Sequence, residues 1–119
     1  MSTKQTFRDL IVWQKSITLA RDVYTLTQMM PESERFGLTN QIRRAVVSIP
    51  SNIAEGNARQ TRKDYLRFLV TARGSLAELE TQLILARELN FLTDPQPALE
   101  LLYEVSRMLR ALIAKLRGQ

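Results

Sequence analysis

The sequence predicts an all-α protein, an antiparallel up-down four-helix bundle, on three observations. Apolar residues recur at spacings of three and four in four separate segments. No stretch keeps a convincing period of two. The breaks between segments, MMPESERFG, NARQTRKD and NFLTDPQP, are short and rich in Pro, Gly, Asn and Asp, and short connections make consecutive helices antiparallel neighbours.

The first helix spans about residues 10–29. Leu10, Trp13, Ile17, Ala20 and Tyr24 form one apolar stripe, assigned to the core, and Val12, Leu19, Val23 and Leu26 form a second beside it. A bundle helix needs only about a 100° apolar arc to reach its own core. The second stripe, Val12, Leu19, Val23 and Leu26, is therefore expected to be an oligomer interface. Pro31 ends this helix. The second, about residues 34–56, starts near Ser33 or Glu34 and points Leu38, Ile42, Ala45, Ile49 and Ile53 inward. It is expected to kink at Pro50 and to end at Gly56, where a positive φ costs glycine little. The third, about residues 62–90, has Thr61 as N-cap with Asp64 three residues on. Tyr65, Leu69, Ala72, Leu76, Leu79, Leu83 and Ala86 give it a knobs-into-holes seam. Gly74 falls opposite that seam and suggests close approach of another helix, of this chain or of another subunit. The fourth, about residues 95–117, opens on an Asp94–Pro95 pair and turns Leu102, Val105, Leu109, Leu112, Ile113 and Leu116 inward. Trp13 and Phe36 are expected to anchor the core.

With 119 residues, 45% of them hydrophobic, the chain has the size and apolar content of a single domain covering 1–119. It contains no cysteine and no histidine. Disulfides and thiolate metal sites are thereby excluded, and the commonest general base and commonest zinc ligand are missing. Paired acids are lacking as well, so no metal site, cofactor or catalytic residue is expected and the protein is read as not an enzyme. The N-terminal stretch MSTKQTFRDL has no long apolar run, and no window is apolar enough to span a bilayer, which makes a cytoplasmic location the expectation. The net charge of +5 makes an acidic partner plausible, RNA or DNA first. The candidate phosphate contacts are Arg43 and Arg44, mid-helix, and Arg59, Arg62, Lys63 and Arg67 around the second turn. Arg107, Arg110, Lys115 and Arg117 form a further C-terminal stripe. Aromatic side chains for stacking are scarce near these clusters, so contact with backbone rather than bases is expected.

The stretch SIPSNIAEGNA, Ser48 to Ala58, places a proline inside a helical pattern and crowds polar residues behind it. One reading is structural. Pro50 removes a helical hydrogen bond, Ser48, Ser51 and Asn52 bond the freed backbone groups, and Gly56 closes the helix. The other makes Asn52 and Glu55 a polar pair on one helical face that grips a ligand.

FRDLIVWQKS, FGLTNQIRRAVVSIPSNIAEG and YLRFLVTARGSLAELETQL, in this order and spacing, resemble the 23S rRNA-intervening sequence protein family, with SIPSNIAEG the most specific element. The likeness spans Phe7 to about Leu92 and is generic in the fourth helix. Similar small basic bundles serve as accessory proteins of diversity-generating retroelements, where they associate with a reverse transcriptase and nucleic acid. The resemblance implies an all-α bundle, a homopentamer and no catalytic chemistry, and it carries over no active-site residues. RNA binding is implied by the location of the family's genes within rRNA intervening sequences, and a reverse transcriptase is implied as a partner protein. The function expected is an oligomeric nucleic-acid-binding accessory protein, the alternative a protein-interaction scaffold.

Overall fold

A computed structural model describes residues 6–118. Residues 1–5, part of the stretch MSTKQTFRDL considered above, and residue 119 lie outside that range. The helices are α1 (Ile11–Thr27), α2 (Leu38–Asn57), α3 (Arg62–Glu88) and α4 (Gln96–Arg117), with 3-10 turns at Phe7–Asp9 and Glu32–Glu34. No strand occurs among the described residues. Each helix packs on two others in the closed order α1, α2, α3, α4 and back to α1, with α2 and α3 sharing the most extensive contact. All four contribute to one apolar core. None of these helices is long and apolar enough to cross a membrane.

The seam expected on α3 is the spine of that core. Leu69, Ala72, Leu76, Leu79, Leu83 and Ala86 are buried, as are Leu38, Ile42, Ala45, Ile49 and Ile53 of α2 and Leu102, Val105, Leu109 and Ile113 of α4. A leucine of this kind truncated to alanine typically costs 2–5 kcal/mol.

The assignment on α1 is corrected. Val12, Leu19 and Val23, expected at an oligomer interface, are 5%, 0% and 0% exposed within the single chain. Leu26 is partly buried against the same core. The stripe expected inside is the outer flank: Ile17 and Tyr24 are exposed, while Leu10, Trp13 and Ala20 are only partly covered. The inner face runs Val12, Ser16, Leu19, Val23, Thr27, so two hydroxyls interrupt it. Both hydroxyls donate back to their own helix, Ser16 Oγ to the Trp13 carbonyl and Thr27 Oγ1 to the Val23 carbonyl, each at 2.7 Å. Satisfied in this way, they are buried at little cost.

Helix ends differ from expectation for local reasons. Glu34 does not open α2 but lies in the preceding 3-10 turn, from which its carboxylate accepts the Leu38 N–H at 3.1 Å. An acid placed there complements the positive helix start. Phe36, expected as a core anchor, is 85% exposed on this connection. The α3 N-cap is Thr61, whose Oγ1 accepts the Asp64 N–H at 3.1 Å. At the other end of α3, Asn90 takes φ 62°. The Phe91 N–H then bonds the Ala86 carbonyl at 2.8 Å and the Asn90 N–H bonds that of Arg87 at 2.9 Å, a Schellman closure with asparagine in the left-handed position. The helix α4 starts one residue later than expected, with Pro95 rather than Asp94 at the N-cap position, and the Asp94 carboxylate accepts the Gln96 N–H at 3.3 Å. Within the single chain, a Cβ on Gly74 would meet nothing within 4 Å, so no helix of the same chain approaches it closely.

Candidate nucleic-acid interface

The stretch 48–58 turns out to join helices. Asn52 Nδ2 donates to the Ser48 carbonyl at 2.8 Å and to Ser48 Oγ at 2.9 Å. Ser48 Oγ meets Ser75 Oγ of α3 at 2.8 Å, and Ser75 in turn donates to the Thr71 carbonyl. One turn on, Asn57 Nδ2 donates to the Tyr65 hydroxyl at 3.2 Å. Gly56 lies inside α2 without a positive φ. It is needed there for closeness, because a Cβ on it would lie 2.8 Å from the Phe68 Cβ and 3.1 Å from the Tyr65 ring. Gly56, expected at the end of the second helix, is thus a contact point between α2 and α3.

Asn52 and Glu55 each have partners within the chain. The Asn52 amide is taken by Ser48, and the Glu55 carboxylate accepts from Arg59 at 2.8 Å. Pro50 is buried within α2. Ser51 Oγ donates to the Val47 carbonyl at 2.8 Å, so the hydroxyl and amide around Pro50 serve the carbonyls of Val47 and Ser48.

The candidate phosphate contacts divide into two kinds. Arg43 is tied inside the molecule: its Nε donates to Thr27 Oγ1 at 3.0 Å, its Nη2 to the Tyr24 carbonyl at 3.3 Å, and its guanidinium stands 4.6 Å from the Tyr24 ring centre. A cation against the last carbonyls of α1 answers the negative helix end. Arg59 is likewise engaged, with Glu55 and with the Phe68 ring at 4.9 Å. Arg44 lines a separate groove with Gln41, Ser48, Glu78 and Gln82.

Arg62, Lys63 and Arg67 converge. Together with Arg117 from the end of α4 they line a surface groove of about 800 Å³ with Leu66, Val70 and Thr71. Asp64 is the one carboxylate in the lining. It lies 3.6 Å from Arg67, whose guanidinium also stands 4.7 Å from the Phe68 ring. Arg62, Lys63 and Arg117 have no carboxylate within 4.0 Å among the described residues. Arg117 was assigned to a separate C-terminal stripe in the sequence. The signal for placing it here is the bundle order itself, which sets the end of α4 beside the start of α3.

The chain matches the family model described as 23S rRNA-intervening sequence protein over residues 8–111. It belongs to that family. The match takes in α1, α2, α3 and most of α4, so the helix-joining stretch 48–58 and most of the basic groove fall within it. Among solved structures, the chain is similar to a protein of unknown function from the S23 ribosomal protein family of Bacteroides thetaiotaomicron. The two share 26% identity with a TM-score of 0.80, over 87% of this chain and 96% of the other. No curated protein matches.

Proposed function

We propose that this member of the 23S rRNA-intervening sequence protein family is a non-enzymatic, oligomeric accessory protein that binds RNA or other nucleic acid. The observation that supports this most is the groove holding Arg62, Lys63, Arg67 and Arg117 against a single carboxylate, Asp64. Cations left without partners keep their full attraction for phosphate, and clustered guanidinium groups contact a nucleic-acid backbone without reading its sequence. Repeating the groove around a homo-oligomer multiplies weak contacts through effective concentration. The surface that favours self-association is the outer flank of α1 and the adjoining α2, where Ile17 is 43%, Tyr24 40% and Val47 43% exposed. The family resemblance points to five copies.

The test is retention of RNA at low salt followed by a titration with salt. Four phosphate contacts per chain on a single strand give a slope of log affinity against log salt of roughly −3. A protein that retains neither RNA nor DNA at low salt would refute the reading. The scaffold reading would then take its place, supported by the same apolar flank and by Phe36, 85% exposed.

A further inference from the structure

We infer that the groove between the start of α3 and the end of α4 takes a single strand rather than a duplex, with one unstacked base lying against its apolar floor. This rests on the nucleic-acid reading above and narrows it to a class of ligand.

The order of residues along the groove carries the argument. Arg62, Leu66 and Val70 succeed one another at four-residue spacing on α3, and Lys63, Arg67 and Thr71 form the neighbouring row. Arg117 of α4 joins Arg62 and Lys63 in the lining. Arg62, Lys63 and Arg117 gather positive charge at the first turn of α3, Arg67 lies one turn on, and the row from Arg62 continues with partly exposed Leu66 and Val70. Successive turns are about 5.4 Å apart. That is about the offset between a phosphate and the base it carries, so a phosphate held by Arg62 or Lys63 sets its base over Leu66, and one held by Arg67 sets it over Val70. The groove, about 800 Å³ and open to solvent, matches small-molecule sites in volume though not in enclosure. It suits a nucleotide or two, not only a line of phosphates.

A duplex cannot use that floor. Its bases are stacked and paired inward, so it offers phosphate and sugar to the cations and leaves Leu66 and Val70 wet. A single strand offers both the charge and an apolar base face. Arg67 is held in advance by the Phe68 ring and Asp64, so less freedom is lost when it meets a phosphate. The floor is aliphatic and carries no base-reading fork, so the strand is taken without strong sequence preference.

Three fluorescent probes with the same number of phosphates separate the outcomes: a single strand of about 24 nucleotides, a duplex of about 12 base pairs, and an abasic strand as long as the first. The full-length protein is titrated with each at one low salt concentration, alongside Val70→Gln, a change at a partly exposed position checked for intact helicity. The single strand is expected to bind about fivefold more tightly than the abasic strand, the scale of one base contact. In Val70→Gln that advantage should vanish while duplex and abasic binding stay unchanged. Equal affinity for the normal and abasic strands, or tighter binding of the duplex, would overturn the inference and leave general nucleic-acid binding standing. If none of the three probes binds, and an acidic polyglutamate peptide does, both the inference and the reading beneath it fall.

Discussion

Gly56 of α2 and Phe68 of α3 approach so closely that a Cβ on the glycine would stand 2.8 Å from the Phe68 Cβ. Neither partner can yield cheaply. The obstructing atom is the first of its side chain, and the Tyr65 carbonyl oxygen closes the same space at 3.2 Å. Gly56→Ala is therefore expected to destabilise the protein by about 1–3 kcal/mol, the usual cost of overpacking, despite alanine's better helix propensity. Gly74→Ala meets open space and is expected to stabilise by up to about 1 kcal/mol. Opposite signs for two glycine-to-alanine changes in urea denaturation check this.

The hydroxyl and amide contacts behind that approach should behave as one unit. Ser48→Ala and Ser75→Ala each break the 2.8 Å bond between the two helices, at roughly 1 kcal/mol apiece. The double variant should cost clearly less than the sum, because the second change removes a partner already lost. Additive losses in a double-mutant cycle would mean that the bond contributes nothing.

Leu19 and Ile17 offer the sharpest contrast on α1. Leu19 is 0% exposed and Ile17 43%. Leu19→Glu buries a carboxylate among Val12, Val23 and the facing helices, and is expected to cost on the order of 4 kcal/mol or more, enough to abolish the cooperative transition. Ile17→Lys should keep its helicity and thermal midpoint while lowering the mass seen by light scattering. Intact folding of Leu19→Glu would contradict the core assignment.

Among the arginines, position in the fold predicts opposite phenotypes. Alanine at Arg62, Lys63 and Arg117 together should flatten the salt slope of single-strand binding by about 2 and leave stability almost unchanged. Arg43→Ala should do the reverse. It removes two hydrogen bonds to the end of α1 and a contact with Tyr24, so the melting temperature falls and the slope stays.

How much of this was legible depended on whether a residue's role was written in its own helix. The α3 seam needed only periodicity, and Leu69, Leu76, Leu79 and Leu83 are buried as expected. On α1, Ser16 and Thr27 make the inner face look less apolar than the outer one in the sequence, although both hydroxyls are silenced by carbonyls of the same helix. Glu34 resembled the opening of a helix because acids favour helix starts, yet here it acts across a turn on the Leu38 N–H. For the candidate interface, the run Arg62, Lys63 and Arg67 is visible in one turn of sequence. Arg117 is not, since it reaches the groove only through the packing of α4. Arg43 and Arg59 counted as free charge in the sequence, but their partners Thr27, Tyr24, Glu55 and Phe68 become neighbours only once the helices pack or turn.

Residues 58–61 separate α2 from α3, while α1 is joined through residues 28–37 and α4 through residues 89–95. The shortest connection thus closes the most extensive helix–helix contact. Native contacts made across a short loop recover their chain entropy earliest, so the α2–α3 pair is expected to be the nucleus on which the other two helices condense. A folding protein would then settle its interlocking serines and glycine before its basic groove exists, because that groove needs the last turn of α4. Amides of Ile42 to Ile53, apart from Pro50, which has none, and of Leu69 to Leu83 should exchange with deuterium only through global unfolding, and those near Arg117 through local fraying.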